Sequence, residues 1–193
     1  NDLVAVTAAA CSRLAELGLH KQWASRPMEW FTSIKMVMTA TNVDNFFWLR
    51  DHFEAQDEIC YLAQAMKVAM NESVPELLLE DEWHTPYITK EEISALGLEN
   101  ALKVSAARCA RTSHKTHLGV TSTLEDDLKL FNEKLIANGV YNEENPFHAS
   151  PAEHQATPTD SLTVMVPGCT GNFTGWVQFR KIIENRGELG YLM

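Results

Sequence analysis

Apolar residues recur at three- and four-residue steps in three stretches of the chain, and this spacing predicts three helices. The first covers residues 2–18 and ends at Gly18, a residue type that often follows a helix. The second covers 43–71 and is the longest, and the third covers 123–138 before Gly139. The stripe of the second helix, interpreted as mostly core packing, consists of Phe46, Leu49, Phe53, Gln56, Ile59, Ala63, Met66 and Met70.

Shorter elements fall between these helices. Residues 99–112 fit a helix or a strand, and 33–41 fit a short strand or the start of a buried helix, because periodicity alone does not separate the two. The run SLTVMV at 161–166 predicts a strand. Thr89 followed by Glu92 predicts a capping box that opens a short helix.

Composition is typical of a soluble globular protein. The chain has 193 residues, which is enough for one domain with a sizeable core. Of these residues, 45% are hydrophobic and 22% are charged, as in ordinary soluble proteins. The net charge of −10 argues against general nucleic-acid binding, because the chain would repel a phosphate backbone. No apolar run is long enough to span a bilayer. The four cysteines form no CxxC pair, so reduced thiols and a cytoplasmic location are expected.

Motifs for a metal or a protein nucleophile are weak. Cys109, His114 and His117 lie close together in the sequence, but a zinc site ordinarily takes a second closely spaced Cys/His pair. The sequence contains no GxSxG elbow and no phosphate-binding glycine loop. We therefore expect no bound metal.

Two arginines stand beside bulky apolar residues. Arg26 lies between two tryptophans, and Arg50 follows the run Phe-Phe-Trp-Leu on a predicted helix. Such an arginine either extends its head group to water or holds a half-buried guanidinium ready for an anion or a planar carbonyl ligand. The residues alone leave both interpretations open.

The segment 147–154 concentrates polar chemistry in eight residues. Ser150, Pro151 and Glu153 fit the N-cap, first and third positions of a helix. This capped helix start is compatible with a binding role, because a helix N-terminus offers free backbone N–H groups to an anion or cofactor.

The same segments resemble flavin-dependent thymidylate synthases. HASPAEH at 148–154 is similar to the family's GHxSPFEH segment, and AARCARTSH at 106–114 is similar to its AARxSYxS segment. The predicted helix between them matches the family's intervening helix. In the family, this block is N-terminal.

A second block resembles the family's C-terminal part. TNVDNFFWLRDHFEAQDEICYLAQAM at 41–66 is similar to N-[FL]-x-x-LR followed by AQxEIRxLAxAM, and HKQWASRP at 20–27 is similar to E-x-A-R-x-x-LP. The two blocks cover about two-thirds of the chain, in permuted order. The family signature RHRxxSxNExSxR is absent. Because the chain begins at Asn1, a single synthase-like domain over 1–193 is expected to lack an upstream segment carrying that signature.

The resemblance implies an α+β fold with helices packed on an antiparallel sheet. It further implies FAD, NADPH and methylene-tetrahydrofolate as cofactors, dUMP as substrate, and a homotetramer. Roles carry over residue by residue: Arg50 and Arg26 would bind dUMP, with Arg50 catalytic, whereas the flavin positions would be Asn45, His148, Ser150 and Glu153.

The implied reaction is the reductive methylation of dUMP. The guanidinium groups would stabilise a uracil anion without a protein nucleophile, and flavin would carry the hydride. Two alternatives remain: hydroxymethylation of dUMP on the same scaffold, and a non-catalytic paralogue that keeps the nucleotide pocket. For a shared site, the 43–71 helix must pack near 148–154. The Trp-rich stretch 23–31 and the apolar helix stripe also favour a homo-oligomer.

Overall fold

A computed structural model describes residues 2–79, 82–112, 121–136, 150–159 and 170–184. The chain divides into two compact units, residues 1–36 and 37–193. Its α-helices are α1 (Asp2–Glu16), α2 (Lys21–Ala24), α3 (Asp44–Arg50), α4 (Asp57–Glu72), α5 (Lys90–Leu96), α6 (Leu98–Arg111), α7 (Leu124–Leu130) and α8 (Phe179–Glu184). The other elements are 3₁₀ helices at Arg26–Phe31 and Ser150–Glu153, a π-helical turn at Phe131–Leu135, and strands β1 (Ala156–Pro158) and β2 (Trp176–Gln178).

The first unit consists of α1, α2 and the 3₁₀ helix Arg26–Phe31, and both shorter elements pack on or beside α1. The predicted first helix is present, and Gly18 follows it with φ +86°. Ala24 is the one fully buried side chain among the described residues of this unit. Three short elements enclose too little volume for a core of their own, so the apolar stripe of α1 stays largely exposed.

The core of the second unit forms around α6. Its buried face packs against α7, the π-helical turn, the 3₁₀ helix Ser150–Glu153 and α8. Alanines on α6 allow close approach of the neighbouring backbones, while Phe131 and Phe179 stack with ring centroids 5.9 Å apart and fill the space between elements. This cluster fixes the position of the 150–153 helix relative to α6.

The sheet consists of two short antiparallel strands. Ala156 of β1 pairs with Gln178 of β2, and Pro158 pairs with Trp176. His84 adds an isolated antiparallel bridge to Ala156. The described chain is therefore mostly helical with a small antiparallel sheet, in agreement with the α+β class.

The prediction of one helix over 43–71 is wrong. The chain forms α3 and α4, separated at residues 51–56. Asp51 leaves helical geometry at φ −86°, ψ 59°, and the ring of His52 accepts a hydrogen bond from the backbone N–H of Glu54 at 3.2 Å. Such local bonds compete with the helical ladder, and Asp57 and Glu58 then favour a new helix start.

The interpretation of the 43–71 stripe as core packing is also wrong. Ala63 is the one buried member, and Phe53 is 87% exposed. Helices α3 and α4 pack on each other, and large apolar side chains on both remain exposed, including Trp48, Leu49, Tyr61, Leu62, Val68 and Met70. The three- and four-residue spacing of apolar residues is present in the sequence, but in the described chain most of these side chains are half-buried or exposed.

Other predicted elements have mixed outcomes. The 99–112 segment is helical, as α6, and the capping box of Thr89 and Glu92 is confirmed at α5. Residues 33–41 form neither a strand nor a helix. The predicted third helix is α7 continued by the π-helical turn, while 161–166 lies outside the described residues. No helix in the described part of the chain is long and apolar enough to cross a membrane.

Candidate functional site

The site is built on the contact between α6 and the 3₁₀ helix Ser150–Glu153. These are the two segments that carry the AARCAR and SPAE motifs, and they pack directly on each other. Ala106 and Ala107 of α6 and Ala152 of the 3₁₀ helix are fully buried in the same cluster. Small side chains at this contact let the two backbones approach closely. The two motifs, about forty residues apart in the sequence, therefore lie side by side.

A buried polar cluster lies under the 150–153 helix. The amide of Gln155 lies 3.0 Å from the hydroxyl of Ser105 and 3.5 Å from the sulfur of Cys109, and Ser105 donates to the carbonyl of Pro86 at 2.7 Å. Burial raises the pKa of Cys109 to about 11, against smaller opposing effects of the hydrogen bonds from Gln155 and Ser105. At neutral pH this cysteine is a thiol, so it supports the site by packing.

An extended segment joins this locality from the other motif block. The hydroxyl of Thr39 lies 3.0 Å from Nδ1 of His154, although 115 residues separate them. The backbone N–H of Thr174 donates to the hydroxyl of Thr41 at 3.3 Å. The residues just before α3 are therefore bonded beside the 150–154 segment. Helices α3 and α4 themselves pack on each other, and among the described residues the elements that pack on the 150–153 helix are α6 and α8, so the expected packing of the 43–71 helix on this segment is not found.

Glu153, expected at the flavin site, forms an ion pair with Arg180 of α8. Arg180 also donates through Nε to Glu184 at 2.7 Å. Burial alone would lower the pKa of Arg180, but the hydrogen bond to Glu184 and the charge of Glu153 raise it overall. The carboxylate of Glu153 is thus oriented by α8 while remaining partly open to solvent.

Arg50 and Asn45 are both exposed on α3. Within the described part of the chain, the guanidinium of Arg50 has no ion pair or hydrogen-bond partner. The adjacent carboxylate of Asp51 is occupied instead by Lys67 of α4 at 2.8 Å, and hydrogen bonds from Lys67 and then Gln64 lower the pKa of Asp51. Of the two interpretations left open for Arg50, the half-buried one is wrong.

The aromatic surroundings of Arg50 differ from expectation as well. Phe46 and Phe47 meet edge to face at 5.5 Å and are half-buried, whereas Trp48 is 75% exposed. In the single chain, these rings do not enclose the guanidinium in an apolar pocket. Arg50 instead lies exposed on α3, with no charged partner among the described residues.

The remaining predicted site residues have separate surroundings. Arg26 lies in the first unit, with its guanidinium carbon 4.2 Å from the ring centre of Trp23, a cation–π contact between exposed side chains. Ser150 is exposed and begins the 3₁₀ helix. His148 lies outside the described residues, as do His114 and His117. Among the described residues, no three potential metal ligands cluster, and the expectation of no metal stays a prediction.

Sequence reasoning assigned no role to Thr39, Thr41, His84, His154 or Arg180. His154 stands inside the HASPAEH motif that the resemblance quotes, so its imidazole was a visible signal, whereas Arg180 lies outside the quoted motifs. Thr39 and Thr41 carried no such signal, because their partners lie more than a hundred residues away. Together these groups form hydrogen bonds and ion pairs that hold the segments around 150–154 in place.

No family model, characterised protein or solved structure matches the chain in three separate comparisons. The function of the chain is therefore inferred from its own residues and from the motif resemblance.

Proposed function

We propose that this chain is a FAD-dependent thymidylate synthase of permuted block order, converting dUMP to dTMP with methylene-tetrahydrofolate and NADPH. One observation carries the proposal: AARCAR on α6 packs directly on SPAE at 150–153, and the segment leading into NFFWLR is bonded to His154. A chance resemblance gives no reason for AARCAR and SPAE to pack together, or for the residues just before NFFWLR to be bonded beside them. Their meeting supports a shared site with the fold that the resemblance implies.

The residues fit a nucleotide and a flavin. Arg50 has a guanidinium without a partner in the described chain, and its planar fork suits the carbonyl oxygens of a uracil ring. The exposed hydroxyl of Ser150 and the partly open carboxylate of Glu153 offer hydrogen bonds at the other element. Bound flavin would supply hydride chemistry. In this proposal, Arg50 holds the uracil and stabilises negative charge on it, Asn45 and His148 contact the flavin, and Arg26 binds the nucleotide.

Assembly into a homo-oligomer, with a tetramer as the form implied by resemblance, is part of the proposal. Helices α3 and α4 leave large apolar side chains exposed, from Trp48 at one end to Met70 at the other. Isolated apolar residues on a surface are ordinary, but this number of large exposed apolar side chains on two packed helices favours an interface. A partner subunit would also lower the dielectric around Arg50 and strengthen its contact with uracil.

The test begins with the full-length protein reconstituted with FAD. Flavin absorbance after desalting measures cofactor retention, and calorimetric titration measures dUMP affinity. Turnover is then followed by mass spectrometry of the nucleotide after adding methylene-tetrahydrofolate and NADPH. We expect retained flavin, saturable dUMP binding and a product heavier than dUMP by one methylene group.

The other outcomes discriminate between the alternatives. A hydroxymethylated product identifies the sibling chemistry on this scaffold. Saturable dUMP binding without turnover identifies a nucleotide-binding paralogue. Failure to retain flavin together with failure to bind dUMP overturns the proposal in all its forms.

A further inference from the structure

A small pocket lies beside the Thr39–His154 contact. It has a volume of about 260 Å³ and is lined by Thr39, Ala40, Thr41, His84, Ala156, Phe173 and Trp176. These residues come from five segments: the stretch before α3, the 82–88 loop, β1, the turn that leads into β2, and β2 itself. The volume is below the usual range for a drug-sized ligand and limits an occupant to a small ring system.

Hydrogen bonds hold the walls of this pocket in place. Thr39 is bonded to His154 and Thr41 to the N–H of Thr174, which fixes the extended segment at two points. The backbone N–H of His84 donates to the carbonyl of Ala156 at 2.8 Å. Because β1 pairs with β2, Trp176 is fixed relative to the same wall. The pocket is therefore preformed, and a ligand need not order it on binding.

The side chains that line the pocket are uncharged, and Phe173 and Trp176 among them are aromatic. Phe173 is buried and Trp176 half-buried, and none of the seven lining residues carries a carboxylate or an ammonium group. Partial burial lowers the pKa of His84, so its imidazole is uncharged at neutral pH. The hydroxyl of Thr41 accepts from Thr174 and keeps its own proton to donate.

We propose that this pocket binds a neutral, planar nitrogen heterocycle of one or two rings, the class that includes the nucleobases. Aromatic side chains attract a flat π-system, and a hydroxyl and a neutral imidazole pair with ring nitrogens or carbonyl oxygens. A charged ligand would find no counter-ion among the lining residues. The pocket uses neither Arg50 nor the residues of the proposed flavin site, so the inference does not depend on the proposed function.

The experiment measures binding of uracil, adenine and dihydrouracil to the full chain by saturation-transfer NMR titration. Dihydrouracil keeps the carbonyl and N–H groups of uracil but loses the aromatic ring, so it tests stacking directly. We expect uracil and adenine to bind and dihydrouracil to bind about tenfold more weakly, in the range of a lost base–aromatic stack.

Variants locate the binding. Trp176→Leu is expected to weaken uracil binding about tenfold, with Trp176→Phe keeping most of it. Trp30→Leu, at an 89% exposed tryptophan of the first unit, is the matched control and should bind as wild type does. Circular dichroism establishes that each variant is folded.

Three results would overturn the inference. They are equal affinities for uracil and dihydrouracil, wild-type affinity for uracil and adenine in a folded Trp176→Leu variant, or no uracil binding at millimolar concentration. Should Trp176→Leu not fold, Thr41→Val tests the same pocket from its exposed rim. That variant loses the donor hydroxyl while keeping the side-chain volume, and unchanged affinity for uracil would equally count against the proposal.

Discussion

Arg108 and Asp127 form an ion pair in the interior, with Nε of Arg108 donating to Oδ2 of Asp127 at 3.0 Å. The side chain of Asp127 is fully buried and that of Arg108 is nearly so. Arg111 contacts the other oxygen of Asp127, while Arg108 also donates to Glu92 at 2.8 Å and to the carbonyl of Tyr87 at 2.8 Å. Burial alone would lower the pKa of Arg108, but its bonds to Glu92 and Asp127 raise it overall. These bonds join α5, α6 and α7.

Asp127→Asn is expected to reduce the free energy of unfolding by about 3–5 kcal/mol, because it leaves two guanidinium groups without their shared carboxylate in a buried setting. Urea denaturation followed by circular dichroism measures the loss. Glu125→Gln, an exposed neighbour on the same helix, is the control and should cost under about 1 kcal/mol. A loss below about 1 kcal/mol for Asp127→Asn would show that the pair has little structural weight.

Local signals predicted local structure well. The Thr89 and Glu92 capping box was readable because both of its hydrogen bonds close within four residues. The break after Arg50 was not, since no proline or glycine marks it and the competing bonds of His52 depend on backbone geometry. The spacing of apolar residues likewise predicted helical structure in the region of α3 and α4. It did not predict whether those apolar residues would be buried in a core or left exposed.

Non-local chemistry was the larger omission. Arg108 stands in a run of small apolar residues, a signal that its helix face is buried, yet its partner Asp127 comes 19 residues later from another helix. Arg50, by contrast, stands beside bulky apolar residues in the sequence and is exposed in the structure. Bulky neighbours in sequence point in several directions around a helix, so they do not bury the residue that follows them.

Acid should destabilise the protein over the pH range in which His84 and His154 take up protons. Burial lowers the pKa of His154 below its ordinary value of 6.5; the charge of Glu153 partly opposes this, and that of His84 adds to it. Burial lowers the pKa of His84 in the same direction. The unfolded chain therefore takes up protons first, and stability falls as pH drops from about 6.5 towards the folded pKa values.

Denaturant unfolding at half-unit intervals from pH 7.5 to 5 measures this slope. His154→Gln and His84→Gln should each flatten it, and the double variant should flatten it most, because glutamine takes up no proton in this range. A slope that is unchanged in the double variant would assign the acid sensitivity to other groups.

The buried cysteine should react with alkylating reagents more slowly than the partly exposed ones. Cys109 is buried with its pKa raised to about 11, whereas Cys11 and Cys60 are partly exposed. Since the thiolate is the reactive form, iodoacetamide at pH 8 should label Cys11 and Cys60 in the native protein and leave Cys109 unlabelled until denaturant is added. Peptide mapping by mass spectrometry reads each site, and rapid native labelling of Cys109 would contradict the described packing around Gln155.

Arg50 provides the sharpest test of the proposed function. Lys67 already binds Asp51, the carboxylate next to Arg50 in the sequence, so the Arg50 guanidinium has no partner within the described residues. A free exposed cation contributes little to folding, and Arg50→Ala should leave stability and flavin retention largely unchanged. The same variant should weaken dUMP binding by about 1.5–3 kcal/mol, the range for a hydrogen bond to a charged group.

Two further variants decide whether that loss is specific. Arg50→Lys should restore dUMP affinity poorly, because a point charge does not reproduce the planar fork of a guanidinium. Arg13→Ala removes an exposed arginine on α1 and serves as the matched control for net charge, so its dUMP affinity should equal that of wild type. Calorimetric titration of dUMP into all four proteins gives the comparison. If wild type binds and the three variants bind equally well, Arg50 is a surface cation and the nucleotide site lies elsewhere; if Arg13→Ala weakens binding as much as Arg50→Ala, the effect is long-range charge and not a contact.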